Sequence, residues 1–118
     1  RKIFNSTPMT FDDYQKTSRQ TALYPNILGK NYVYPTLGLV GEAGEIAEKV
    51  KKVFRDNNGE MTEERKAVIA QELGDVLWYL AQIATELDLS LDTIASENIT
   101  KLLSRKERGT LHGDGDGR

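Results

Sequence analysis

The sequence predicts an all-α protein, four helices packed as a bundle. Three observations carry that expectation. No segment alternates apolar and polar residues as a half-buried strand does. Apolar residues recur at three- and four-residue intervals through two long central segments. Capping residues and turn signals fall where such helices should start and stop. At 118 residues the chain is one domain, 1–118, with a loose lead-in over 1–9 and a flexible Gly/Asp-rich tail over 110–118. A chain this short buries a modest core by itself, so a homodimer or homotetramer is expected.

The elements follow in order. Thr10 is a natural N-cap with Asp13 three residues on, opening a helix over about Phe11–Leu23 that Pro25 helps end. Residues 26–34, with Gly29 and Asn31 between Pro25 and Pro35, read as a loop. Helix two is expected from Thr36 to about Phe54 or Arg55, closed by the turn Asp56-Asn57-Asn58-Gly59. Thr62 caps helix three, with Glu63 and Glu64 in its first turn where the helix dipole favours anions, and this helix runs to about Leu87. Asp88 and Ser90 break the chain before helix four, about Leu91–Glu107, which Gly109 ends. The tail holds three glycines in its nine residues and is expected to be mobile.

Composition narrows the function. The formal charge of -2 gives no basic balance for a nucleic acid polymer. The absence of cysteine removes disulfides and thiolate chemistry. No apolar run approaches the roughly 20 residues of a membrane span, and no signal-peptide pattern opens the residues, so a cytoplasmic protein is expected. A single histidine, His112, rules out a site built on several imidazoles.

Two acidic pairs carry the chemistry. Glu42-Ala43-Gly44-Glu45 lies in helix two and Glu72-Leu73-Gly74-Asp75 in helix three, with 26 residues between Glu45 and Glu72. Residues three apart on a helix share a face, so each pair can present two carboxylates to one point. Helix two carries an apolar stripe of Leu39, Ala43, Ile46, Val50 and Val53, with Glu42 and Glu45 at its edge. Helix three repeats the pattern, with Ile69, Val76, Leu80, Ile83 and Leu87 as the stripe and Glu72 and Asp75 at its edge. Antiparallel packing of these stripes brings both acidic edges to one side of the seam. Four facing carboxylates repel one another unless cations sit between them, and hard cations with oxygen ligands such as Mg²⁺ suit them. Gly44 and Gly74 each cost about 1 kcal/mol inside a helix relative to Ala, which suggests close helix approach or room for a ligand. A carboxylate di-iron bundle would use Glu-x-x-His pairs, and neither motif has a histidine.

Three segments carry a family resemblance: Leu37-Gly-Leu-Val-Gly-Glu-Ala-Gly-Glu-Ile-Ala-Glu48, Glu72-Leu-Gly-Asp-Val-Leu-Trp-Tyr-Leu80 and Asn98-Ile-Thr-Lys-Leu102. With their order and spacing, the chain resembles the MazG-like nucleotide pyrophosphohydrolases. These belong to the all-α NTP pyrophosphatase superfamily, with the dimeric dUTPases and dCTP pyrophosphatases. The resemblance implies Mg²⁺-dependent hydrolysis of (deoxy)nucleoside triphosphates at the α–β bond, giving monophosphate and pyrophosphate, with Mn²⁺ as a substitute metal. It places metal ligands on Glu42, Glu45, Glu72 and Asp75. Either Glu42 or Glu45 is the general base, and Glu48 is an auxiliary acid or a surface residue.

The pyrophosphate end of a substrate needs cations. Lys49 and Lys52 follow the first acid pair on nearly the same face, although pairing with Glu45 and Glu48 also accounts for them. By resemblance, Asn98, Lys101 and Arg105 on helix four are substrate contacts, and Tyr79, one turn beyond Asp75, lies at a base-pocket position. Gln15, Tyr24 and Tyr34 are further candidates for the pocket. Trp78 points to the polar side of helix three, where an exposed Trp suggests a subunit contact. Asp114 and Asp116 in the tail lack the terminal Glu of a calcium loop. A non-catalytic nucleotide-binding or regulatory module on the same fold is the alternative, and the presence of all four acids favours the enzyme.

Overall fold

The computed structural model describes residues 8–118, so most of the expected lead-in lies outside the described residues. Four α-helices form: α1 Phe11–Ser18, α2 Val33–Asn57, α3 Glu63–Glu86 and α4 Leu91–Glu107. No strand forms among the described residues, where a lone bridge joins Ile27 to Lys30. The all-α class is as expected.

The caps are the ones the sequence advertises. Thr10 accepts from the Asp13 N–H while Asp13 accepts from the Thr10 N–H, a complete capping box. Thr62 caps α3 by accepting from the Arg65 N–H and Ser90 caps α4 by accepting from the Thr93 N–H, without the reciprocal bond. Gly59 and Gly109 take φ of +80° and +71° just past α2 and α4, a region open to glycine at no steric cost.

Three boundaries differ from expectation, one of them the end of α2, which runs on to Asn57 and takes in half of the expected turn. The first helix stops at Ser18 and tightens into a 3₁₀ turn over Arg19–Thr21. Ser18 and Thr21 hydroxyls donate to the Gln15 and Ser18 carbonyls, competing with helical hydrogen bonding. Helix α2 begins at Val33, before Pro35, because a proline in the first turn lacks only an N–H that has no helical partner there.

Helices α2 and α3 form a long antiparallel hairpin, and α1 lies across α3 and the start of α4. Ala81, Ala84 and Leu91 make a small core with Tyr14 against it. Polar ties complete this end. Gln15 donates to Thr85 Oγ1 at 3.0 Å and the Leu89 carbonyl at 2.8 Å, and accepts from the Leu91 N–H at 2.9 Å. Fully buried Gln82 donates to Ser18 Oγ at 2.9 Å and accepts from Arg19 at 3.3 Å. Arg19 also pairs with Glu86 at 2.9 Å, and the Tyr24 hydroxyl donates to the same carboxylate. Buried polar groups satisfied in this way fix one geometry for the N-terminal segment on α3.

The single chain leaves much apolar surface uncovered. Val53, Ala81, Ala84 and Leu91 are the buried hydrophobic residues among those described, whereas Leu37, Val40, Phe54, Leu73 and Leu103 are each more than half exposed. The radius of gyration is 17.4 Å, against about 13 Å for a compact chain of this length. These exposed residues lie off the α2 and α3 stripes, of which Val53 is buried and Leu39, Ile46, Ile69, Val76 and Ile83 are half-buried. None of the helices among the described residues is long and apolar enough to cross a membrane.

Candidate metal centre

The hairpin brings the two acidic edges together. Carboxylate oxygens of Glu42 on α2 and of Glu72 and Asp75 on α3 lie within 4.8 Å of one another. Glu42 and Glu72 are half-buried, and Asp75 is exposed. The Glu42 carboxyl is held above its ordinary value, first by a hydrogen bond shared with Glu72, then by burial and the negative charges of Asp75, Glu72 and Glu45. A proton shared by two acids occupies the place a cation would take, so the donor set fits a hard divalent ion.

Glu45 stands apart from this trio. Its carboxylate is exposed and faces Lys49 at 3.6 Å, the i,i+4 pairing that the sequence allows. Glu48 pairs with Lys51 at 2.7 Å rather than with Lys52, and lies on the solvent side.

Beside the acids lies a group of aromatic rings. Tyr79 is in edge contact with Trp78 at 5.1 Å between centroids, Trp78 with Tyr24 at 6.2 Å, and Tyr24 stacks on Tyr34 at 5.6 Å. The Tyr79 hydroxyl is pushed up by burial, then by Tyr34, Glu42 and Asp75, which places it next to the acidic trio. Gly38, one turn before Glu42, makes this possible: a Cβ there would fall inside the Tyr79 ring. The close approach expected at Gly44 and Gly74 occurs at Gly38 instead. A Cβ at Gly44 or Gly74 would meet open space, which leaves room beside each acidic pair. The Gly38–Glu42 spacing mirrors Asp75–Tyr79, a signal present in the sequence but not singled out from it.

Trp78 is the clearest departure from expectation. Its indole N–H donates to Thr21 Oγ1 at 2.8 Å, and Tyr24 and Tyr79 cover its ring. It is a contact within the chain, because the 3₁₀ turn and following loop fold back over α3. Gln15 is likewise taken up in joining α1 to the α3–α4 turn, not in a pocket at the acids.

On α4, Asn98 is exposed, and Lys101 and Arg105 both bind Asp116 of the tail, at 3.1 Å each. Among the described residues no ion pair joins these α4 cations to the trio.

The sign of the acid repulsion gives a pH prediction for the cation-free protein. The folded-state value of Glu42 lies above the ordinary 4.5. Its stabilising protonation is therefore fully present below the unfolded value and lost as pH rises through the folded one. Relative to Glu42→Gln, the wild type should melt progressively lower as pH rises through the upper carboxylate range, and millimolar Mg²⁺ should remove the difference. Parallel melting curves for the two proteins at all pH values in EDTA would contradict the shared-proton geometry.

A helical hairpin with facing carboxylates at its seam defines the class: an all-α protein with an acidic cluster that could hold a cation. The chain belongs to the MazG nucleotide pyrophosphohydrolase domain family, whose profile matches residues 35–110. It is also similar to the "Gene 37 protein" of Mycobacterium phage L5, 50% identical over 116 residues that cover 93% of this chain and all of that relative. No solved structure matches the chain significantly.

Proposed function

We propose that the chain is a Mg²⁺-dependent nucleoside triphosphate pyrophosphohydrolase. It cleaves (deoxy)nucleoside triphosphates between the α and β phosphates, and serves nucleotide-pool housekeeping in the cytoplasm. The observation that carries this reading is the trio Glu42, Glu72 and Asp75, drawn from two helices to within 4.8 Å, where neighbouring acids raise the Glu42 carboxyl. Membership of the MazG family supports the same activity.

The trio holds the divalent ion, Mg²⁺ with Mn²⁺ as a substitute. When bound, the ion neutralises phosphate charge and lowers the pKa of water. Glu45, outside the trio and one turn from Glu42, accepts the proton of the attacking water from its exposed position beside Lys49. The water oxygen bonds to the α phosphorus, the bond from that phosphorus to the bridging oxygen breaks, and pyrophosphate departs with the electron pair. Lys49 offers positive charge beside Glu45, and Lys101 and Asn98 offer it and a polar contact from α4. Tyr79, seated against Gly38 and next to the acids, forms the wall for the base together with Tyr34.

The site is completed by association into a homodimer or homotetramer. The open shape and the exposed Val40 and Leu73 support this, and a neighbouring chain gives the α4 cations a route to acids with which they form no ion pair in their own chain. Pyrophosphate release from a panel of deoxynucleoside triphosphates should appear with Mg²⁺ and vanish in EDTA. Equal rates in both conditions would overturn the assignment.

A further inference from the structure

The C-terminal tail is more elaborately bound than its glycine content suggests. Arg118 donates to the carbonyls of Thr110 at 3.0 Å, Leu111 at 2.9 Å and Gly115 at 2.6 Å, and Arg108 donates to the Arg118 carbonyl at 3.0 Å. This staple brings Asp116 back onto α4. There its carboxylate bridges Lys101 and Arg105, and the Arg105 guanidinium also donates to the Asp116 carbonyl. The two cations differ sharply in access. Arg105 is 3% exposed, with its Nε buried and unpaired, whereas Lys101 keeps its ammonium at the surface. Among the described residues, Asp116 is the one carboxylate paired with either of them, and Glu97, one turn before Lys101 on the same helix face, is not used.

We propose that residues 110–118 are a built part of the phosphate-binding end, in which Arg105 is a buried anchor and Asp116 is the positioning residue that fixes Lys101. This rests on the reading in which Lys101 meets a substrate phosphate. A lysine on a four-carbon stem is a mobile point charge. A carboxylate that is itself held by a buried guanidinium fixes where that charge sits, so less freedom is lost when a phosphate arrives. The tail then completes the site and does not cover it. Asp116 is held below the ordinary carboxylate range by Arg105 first and Lys101 second, so the bridge stays charged at neutral pH.

The test is steady-state hydrolysis by the full chain and four variants: Lys101→Met, Asp116→Asn, Asp116→Glu and the Lys101→Met/Asp116→Asn double variant. Each should raise KM more than it lowers kcat, by about tenfold for Lys101→Met and Asp116→Asn. Asp116→Glu should recover much of the loss. The double variant should be no worse than Lys101→Met alone, since Asp116 acts through that side chain. Melting curves identify any variant whose tail merely unfolds, and Arg118→Ala, which loosens the staple and leaves both cations, should reproduce the KM rise. A normal or lowered KM in Asp116→Asn overturns the proposal, the lowered value marking Asp116 as a competitor of phosphate. An unchanged KM in Lys101→Met, with Mg²⁺-dependent hydrolysis intact, instead overturns the reading of Lys101 on which it rests.

Discussion

Glu72→Gln and Asp75→Asn should each lower Mg²⁺-dependent pyrophosphate release by about a thousandfold or more. Both substitutions keep the shape of the side chain and remove its charge. Glu42, Glu72 and Asp75 converge within 4.8 Å, so loss of one acid leaves two to hold the ion. The cation-free fold should not suffer, because the Glu42 carboxyl is already raised by its acidic neighbours. Relief of that repulsion should leave the melting temperature in EDTA equal to or above that of the wild type, a stability gained at the cost of function. Glu45→Gln should behave differently. It leaves the trio intact, so Mg²⁺ affinity by calorimetry should hold while kcat falls. Wild-type rates in Glu72→Gln or Asp75→Asn would remove the trio from the chemistry.

The second large effect concerns assembly. Light scattering should give the mass of a dimer or tetramer, and the Val40→Asp/Leu73→Asp variant should be a monomer that melts at least about 10 °C lower. Val40 and Leu73 are 69% and 54% exposed in the single chain. An interior of Val53, Ala81, Ala84 and Leu91 is too small to hold helices of 25, 24 and 17 residues without further burial. Charges placed on that surface would be desolvated on association with no partner. A wild-type protein that is a stable monomer at micromolar concentration, with cooperative melting, would contradict this.

Three of the four helices were legible at their starts because a side-chain cap opens them, and the α2–α3 turn because its residues have restricted geometry; α2 opens at Tyr32 without a side-chain cap. Thr10, Thr62 and Ser90 cap as their residue types require, and Asn58-Gly59 turns the hairpin in the left-handed region. The two acidic edges were legible too, because three-residue spacing fixes a face whatever the tertiary packing. Elements set by contacts distant in sequence were not. Trp78 reads as exposed on its own helix, and only the return of the 3₁₀ turn at Arg19–Thr21 covers it. The tail reads as mobile from its glycines, whereas Arg118 and Asp116 tie it to α4 through hydrogen bonds that no local pattern announces. Gly38 is a third case: its lack of a side chain matters only because Tyr79 arrives from α3.

The central claim is that carboxylates on the α2–α3 seam direct hydrolysis to the α phosphate. The most direct test incubates the protein with Mg²⁺ and canonical and damaged nucleoside triphosphates, and counts monophosphate, pyrophosphate and orthophosphate separately. Monophosphate and pyrophosphate should appear in equal amounts, with no diphosphate. Stepwise orthophosphate release, or tight nucleotide binding with no turnover across the whole panel, would contradict it.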